Sequence, residues 1–129
     1  MFKPTLQTKF NREGNCLAAC IASLFPVDIN DVPELSYNSS WEKELSDWFK
    51  WKLNKYAFIV SIPQEGIELL NNSLMLTIIN STNPDPEIKR HCVITKNNRI
   101  IFDPLIGEVD YPVKENMNPT YLIVGNVLN

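Results

Sequence analysis

The chain has 129 residues, 44% of them hydrophobic and 21% charged, with a net charge of −3 and a pI near 5.1. These values fit one globular domain over residues 1–129, large enough to bury a core without disulfide or metal staples. They argue against a general nucleic-acid binder, which carries a basic face, and no apolar run approaches the roughly 20 residues that a membrane span needs. The opening MFKPTLQTKF lacks the apolar centre of a signal peptide, so a cytoplasmic protein is expected. Three cysteines make a poor disulfide framework. With a single histidine and no Cys-x-x-Cys pair, a structural zinc site is not expected either.

The first element is read from Gln7 to Leu24, QTKFNREGNCLAACIASL. The chain tightens at Gly14-Asn15 and opens a helix, with Asn15 as a favourable N-cap. Leu17, Cys20, Ile21 and Leu24 follow at the spacing of a buried stripe. Cys16 falls in the first turn, where the helix dipole and unpaired N–H groups favour a negative charge. Residues 25–35 form a turn-rich connection. Ser39 and Glu42 fit a capping box for a second helix over WEKELSDWFKWKLNKY, residues 41–56. Its stripe of Trp41, Leu45, Trp48, Phe49 and Leu53 reads as core packing, and Trp51 falls off that stripe.

Strands are expected at Ala57–Ile62 and Ser73–Ile79, with one or two helical turns at Gln64–Leu70 between them. Asn80–Lys89 is a loop of turn formers. His91–Lys96 and Arg99–Phe102 flank Asn97-Asn98, a hairpin signal. A short extended piece is expected at Val109–Val113 and a last strand at Tyr121–Val127, with Gly125 as a candidate bulge. Helices lead and strands follow, so the fold class is α+β with a mainly antiparallel sheet.

A nucleophilic cysteine needs a base and an orienting group. The chain holds one histidine, so the base for Cys16 is His91 or none. Asp103, ending the next strand, is the candidate orienter. Strand geometry tests this pairing. A regular two-residue turn at Asn97-Asn98 would set Asp103 opposite Cys92, on the face away from His91. A three- or five-residue loop, or a bulge, restores the shared face. The loop expected here is Lys96–Asn98, with Asn98 left-handed. Gln7 completes the set as a side-chain donor to an oxyanion beside the backbone N–H of Cys16.

These residues carry a resemblance. Gln7-Thr8, Gly14-Asn15-Cys16, Ala18-Ala19-Cys20, Asp31-Val32-Pro33, Trp41, His91-Cys92-Val93 and Phe102-Asp103-Pro104, in this order, resemble the papain-like cysteine hydrolase superfamily, and more narrowly its small bacterial and phage members. The resemblance covers about residues 5–107. It implies a papain-like fold with N-terminal helices packed on the sheet. It also implies Cys16 as nucleophile, His91 as base, Asp103 as orienter and Gln7 as oxyanion donor. No metal or organic cofactor is implied, and the partner is a peptide or protein substrate. Cys92 stands where the family often has alanine, and Phe102 and Leu105 stand where histidines often flank Asp-Pro.

Each residue also has a plainer reading. Free cysteines are usually small core residues, and Cys20 and Cys92 are read that way. Asp103 before Pro104 is a common turn former, and a loop glutamine needs no role. Asp28, Asp31 and Glu34 read as a solvated loop. The expected activity is cleavage of a peptide, isopeptide or related amide bond through a Cys16 thioester. The alternatives are a non-catalytic binding module on the same fold, such as a phage or bacterial protein that sequesters a host partner, and thiol redox chemistry between Cys16 and Cys20.

Overall fold

In the computed structural model of the chain, residues 2–10, 14–33, 41–60 and 73–126 are described. Helix α1, Cys16–Leu24, begins at the expected residue, but every side chain from Leu17 to Ser23 is buried. The expected two-sided helix is instead enclosed all round. Ala18, Ala19 and Ala22, which the stripe left facing outward, are small enough to let neighbouring elements close over them. Helix α2, Trp41–Trp48, passes into a π-helical turn, Phe49–Leu53. Asn54 stops it in the left-handed conformation (φ 55°), so the element ends at Leu53, three residues before the expected Tyr56. Asparagine tolerates that conformation better than other non-glycine residues. Leu45, Trp48 and Phe49 are buried and Trp51 is 81% exposed, as the stripe predicts.

The sheet has six described strands: β1 Lys55–Val60, β2 Met75–Asn80, β3 Arg90–Lys96, β4 Arg99–Asp103, β5 Gly107–Pro112 and β6 Thr120–Asn126. They run in the spatial order β1-β6-β2-β3-β4-β5, and every pairing is antiparallel. The α+β reading therefore describes the architecture. The extended piece near Val109 is a full edge strand, and β6 pairs with β1 in an unbroken register through Gly125, so the expected bulge there is absent. The Ser39 capping box and the helical turns at Gln64–Leu70 lie outside the described residues.

Alternation along β3 divides the interior. Cys92 and Ile94 face a core with Leu17, Cys20, Ile21, Leu45, Trp48 and Phe49. Val93 joins Ile79, Ile100 and Val113 in a second cluster. Covering both faces explains why Met75–Ile79 in β2 are all buried. On the Val93 face, the Thr77 and Thr95 hydroxyls share one buried hydrogen bond of 2.8 Å. Thr77→Val alone strands the Thr95 hydroxyl and is expected to lower unfolding free energy by about 1–3 kcal/mol. The Thr77→Val/Thr95→Val pair is expected to be close to wild type. Urea unfolding of the wild type and the two variants checks this, and equal losses for the single and double variants would disprove it.

The β3–β4 hairpin decides where Asp103 goes. Its loop has two residues, not three: Lys96 pairs with Arg99, and Asn97 and Asn98 are both left-handed (φ 52° and 61°). This is the turn that matches strand twist. The ladder is then interrupted, because Thr95 pairs with Ile100 while Ile94 pairs with Phe102. Ile101 is the surplus residue of a β-bulge, and the shift turns Asp103 to the face that His91 occupies. Beyond Asp103 the chain reverses into β5, and Gly107 (φ 108°) closes that turn in a conformation L side chains rarely adopt.

Candidate active site

Cys16 enters the site from the first residue of α1, His91 from the second residue of β3 and Asp103 from the last residue of β4. His91 Nε2 lies 2.8 Å from Asp103 Oδ1, and both side chains are largely buried. The same carboxylate oxygen accepts the backbone N–H of Leu105 at 2.9 Å. With Nε2 on Asp103, Nδ1 is the ring nitrogen left for Cys16, which lies close enough to act on the ring's protonation. Cys16 Sγ accepts a hydrogen bond from the backbone N–H of Cys92, at 3.4 Å.

The electrostatics follow from these contacts. Burial of His91 opposes its charge. The hydrogen bond to Asp103, the adjacent Cys16 side chain and the Asp103 charge outweigh that and raise its pKa to about 10. Asp103 is likewise opposed by burial, yet the His91 and Leu105 hydrogen bonds and the His91 charge hold it below the usual carboxylate value. The ring therefore holds its proton at neutral pH, as an imidazolium set beside the Cys16 sulfur.

Gln7 is buried despite its loop position, at 7% exposure. The segment before it is fastened along α1: Lys3 N–H donates to the Ser23 carbonyl at 2.7 Å and Thr5 N–H to Ser23 Oγ at 2.9 Å. Gln7 N–H donates to the Pro104 carbonyl at 2.9 Å, next to Asp103. Its Nε2 donates one proton to the Lys9 carbonyl at 2.9 Å, which leaves the second amide proton, and its Oε1 is buried without a protein partner.

Asn15 does not cap its own helix, contrary to expectation. Its Oδ1 accepts the backbone N–H groups of Thr8 and Lys9, both at 3.0 Å, and its Nδ2 donates to Thr8 Oγ1 at 2.9 Å. A loop folded back over the helix start offers the side chain two donors at once, and they displace the helix N–H as its partners.

Gln7, Cys16, His91 and Asp103 line one cleft of about 930 Å³. Its walls also include Trp41, Ile79, Ser81, Thr82, Arg90 and Tyr111, whereas Trp51 does not reach it. Sequence spacing did not single out Arg90 or Tyr111. Neither did it reveal the Cys92 N–H donor, since a backbone group leaves no residue-type signal. Arg90 reaches across β2 and the start of β6, donating to Asn80 Oδ1 at 2.7 Å, the Ile78 carbonyl at 3.1 Å and Thr120 Oγ1 at 3.0 Å. Cys20 and Cys92 are core residues, as expected. Burial, followed by a hydrogen bond to Cys92 and the neighbouring thiols, pushes the Cys20 thiol well up, so it is a poor partner for redox exchange with Cys16. Among the described residues no group of three or more His, Cys, Asp or Glu side chains could hold a metal ion, and no helix is long and apolar enough to cross a membrane.

No family model matches the chain, and no curated protein matches it in sequence. A solved structure does match: the peptidase domain of Streptococcus ComA, a bi-functional ABC transporter involved in a quorum-sensing pathway. The two superpose with a TM-score of 0.63 over 97% of this chain and 100% of that one, at 14% sequence identity. At that identity the likeness is one of architecture. The chain has a peptidase-like fold, with an antiparallel six-stranded sheet and few helices.

Proposed function

We propose that the chain is a papain-like thiol hydrolase acting on an amide bond of a peptide or protein. The observation that carries this reading is the meeting of Cys16, His91 and Asp103 at the wall of one cleft, from three separate elements. In the proposed reaction the Cys16 proton is already held on the His91 ring, and the sulfur adds to the acyl carbon. The carbonyl oxygen becomes an oxyanion, held by the Cys16 backbone N–H and the free amide proton of Gln7. The C–N bond breaks as His91 returns its proton to the departing nitrogen. Water, deprotonated by His91, adds to the thioester, and the acid leaves as the thiol is restored. Asp103 holds the ring in place throughout. The peptidase-like fold supports this reading.

Iodoacetamide labelling tests the reactive centre directly. Cys16 is half-buried while Cys20 and Cys92 are buried, so near neutral pH one thiol per chain is expected to react, and peptide mapping should identify it as Cys16. His91→Ala is expected to slow that labelling about tenfold or more. Labelling at the same rate in His91→Ala would overturn the hydrolase reading and favour a binding module on this fold.

A further inference from the structure

We infer that Asn15 is a positioning residue that aims the Gln7 amide at the oxyanion, an inference that rests on the hydrolase reading. The argument starts from the Lys9 peptide. Its carbonyl accepts Gln7 Nε2 at 2.9 Å and also the backbone N–H of Asn15 at 3.4 Å. Its N–H, with that of Thr8, donates to Asn15 Oδ1. Asn15 thus grips Lys9 from both sides, and Lys9 in turn holds the Gln7 amide by one proton. That bond fixes the plane of the amide and so the direction of its other proton. Gln7 is anchored independently at its own N–H, on the Pro104 carbonyl. The side chain is therefore referenced at one end to the residue before Cys16 and at the other to the residue after Asp103. An oxyanion donor works only when its proton is set in advance where charge develops. A glutamine carried on a loop needs such a frame, and Asn15 has given up its helix cap to supply it.

A purely structural Asn15 would disturb Cys16 in every reaction. A positioning Asn15 acts only where an oxyanion forms. Acylation by p-nitrophenyl acetate forms one, and displacement of iodide from iodoacetamide does not. Asn15→Ala is expected to slow acylation about 10-fold to 10²-fold, less than the roughly 10²-fold to 10³-fold seen when an oxyanion donor itself is removed, and to leave the iodoacetamide rate within about twofold. Asn15→Asp keeps the acceptor for both N–H groups, and Thr8 can reverse its hydroxyl to donate, so acylation should largely recover. The Asn15→Ala/Gln7→Ala double variant should acylate no more slowly than Gln7→Ala alone. Equal loss in both reactions, or additive losses in the double variant, would overturn the inference. A readout free of catalysis separates it from the hydrolase reading: the Gln7 side-chain NH₂ proton resonances. They should be dispersed in wild type and collapse towards free-glutamine positions in Asn15→Ala. Unchanged resonances overturn the inference. Collapse in a chain whose wild type never acylates overturns the hydrolase reading while the Asn15–Gln7 coupling stands.

Discussion

A Cys16→Ala chain is expected to fold normally and to lose hydrolysis of p-nitrophenyl acetate to the solution background. His91→Ala should lose roughly 10²-fold to 10⁴-fold, the range for a positioned acid–base group. The fold should survive both changes. Cys16 and His91 occupy the rim of the interior, whereas the cores are built from Leu17, Phe49, Ile94 and their neighbours on one side and Val93 and Ile100 on the other. The two residues act on one proton, which leaves the sulfur for the ring and then leaves the ring for the departing group. Their effects therefore cannot add: the double variant should be no slower than Cys16→Ala. A His91→Ala chain with wild-type turnover, or a Cys16→Ala chain that still forms an acyl adduct by intact mass, would rule out this chemistry. Thermal unfolding of each variant separates chemical loss from loss of structure.

How these residues meet was only partly legible in the sequence. The helix start at Cys16 could be read because loop formers end and small apolar residues begin there. His91 could be read because no other histidine competes with it. Asp103 could not be secured that way. Its face depends on the parity of the ladder, and parity is set by one surplus residue, Ile101, in a run of β-formers with no glycine or proline to mark it. Asn98 tolerates a left-handed backbone, which makes a longer loop a plausible source of the shift. Asn97 tolerates it equally, and two such residues make the tighter turn. Asn15 shows a related limit. Its side chain suits a helix cap, but whether the cap or a returning loop claims it is a tertiary decision. Gly125 is the reverse case, since a glycine in a strand signals a bulge only where neighbouring strands leave room for one.

Asp103 carries the second large effect, and its orienting role can be separated from its charge. Asp103→Ala removes the acceptor for His91 Nε2 and for the Leu105 N–H, so the ring loses its anchor and acylation should fall about 10²-fold. Asp103→Asn keeps one oxygen for both donors and removes only the charge. Because the ring carries both protons as an imidazolium, it still donates from Nε2 to a neutral amide oxygen, and the tautomer is not disturbed. Asp103→Asn should therefore keep more activity than Asp103→Ala. Its signature is in the pH profile. Asp103 helps to raise His91 to about 10, so without its charge the alkaline limb of acylation should move down towards neutrality. Stability should follow the same linkage. His91 is raised in the folded chain, so its contribution is complete below about pH 6.5 and is lost as pH rises towards about 10. Asp103 is lowered, so its contribution is present above about pH 4 and is lost as pH falls through its folded value. The stability gap between wild type and Asp103→Asn should therefore be widest between about pH 4 and 6.5 and narrow on both sides. Urea midpoints measured across that span decide the point: a gap that keeps widening above neutrality would mean that the His91–Asp103 contact is not the ion pair described here.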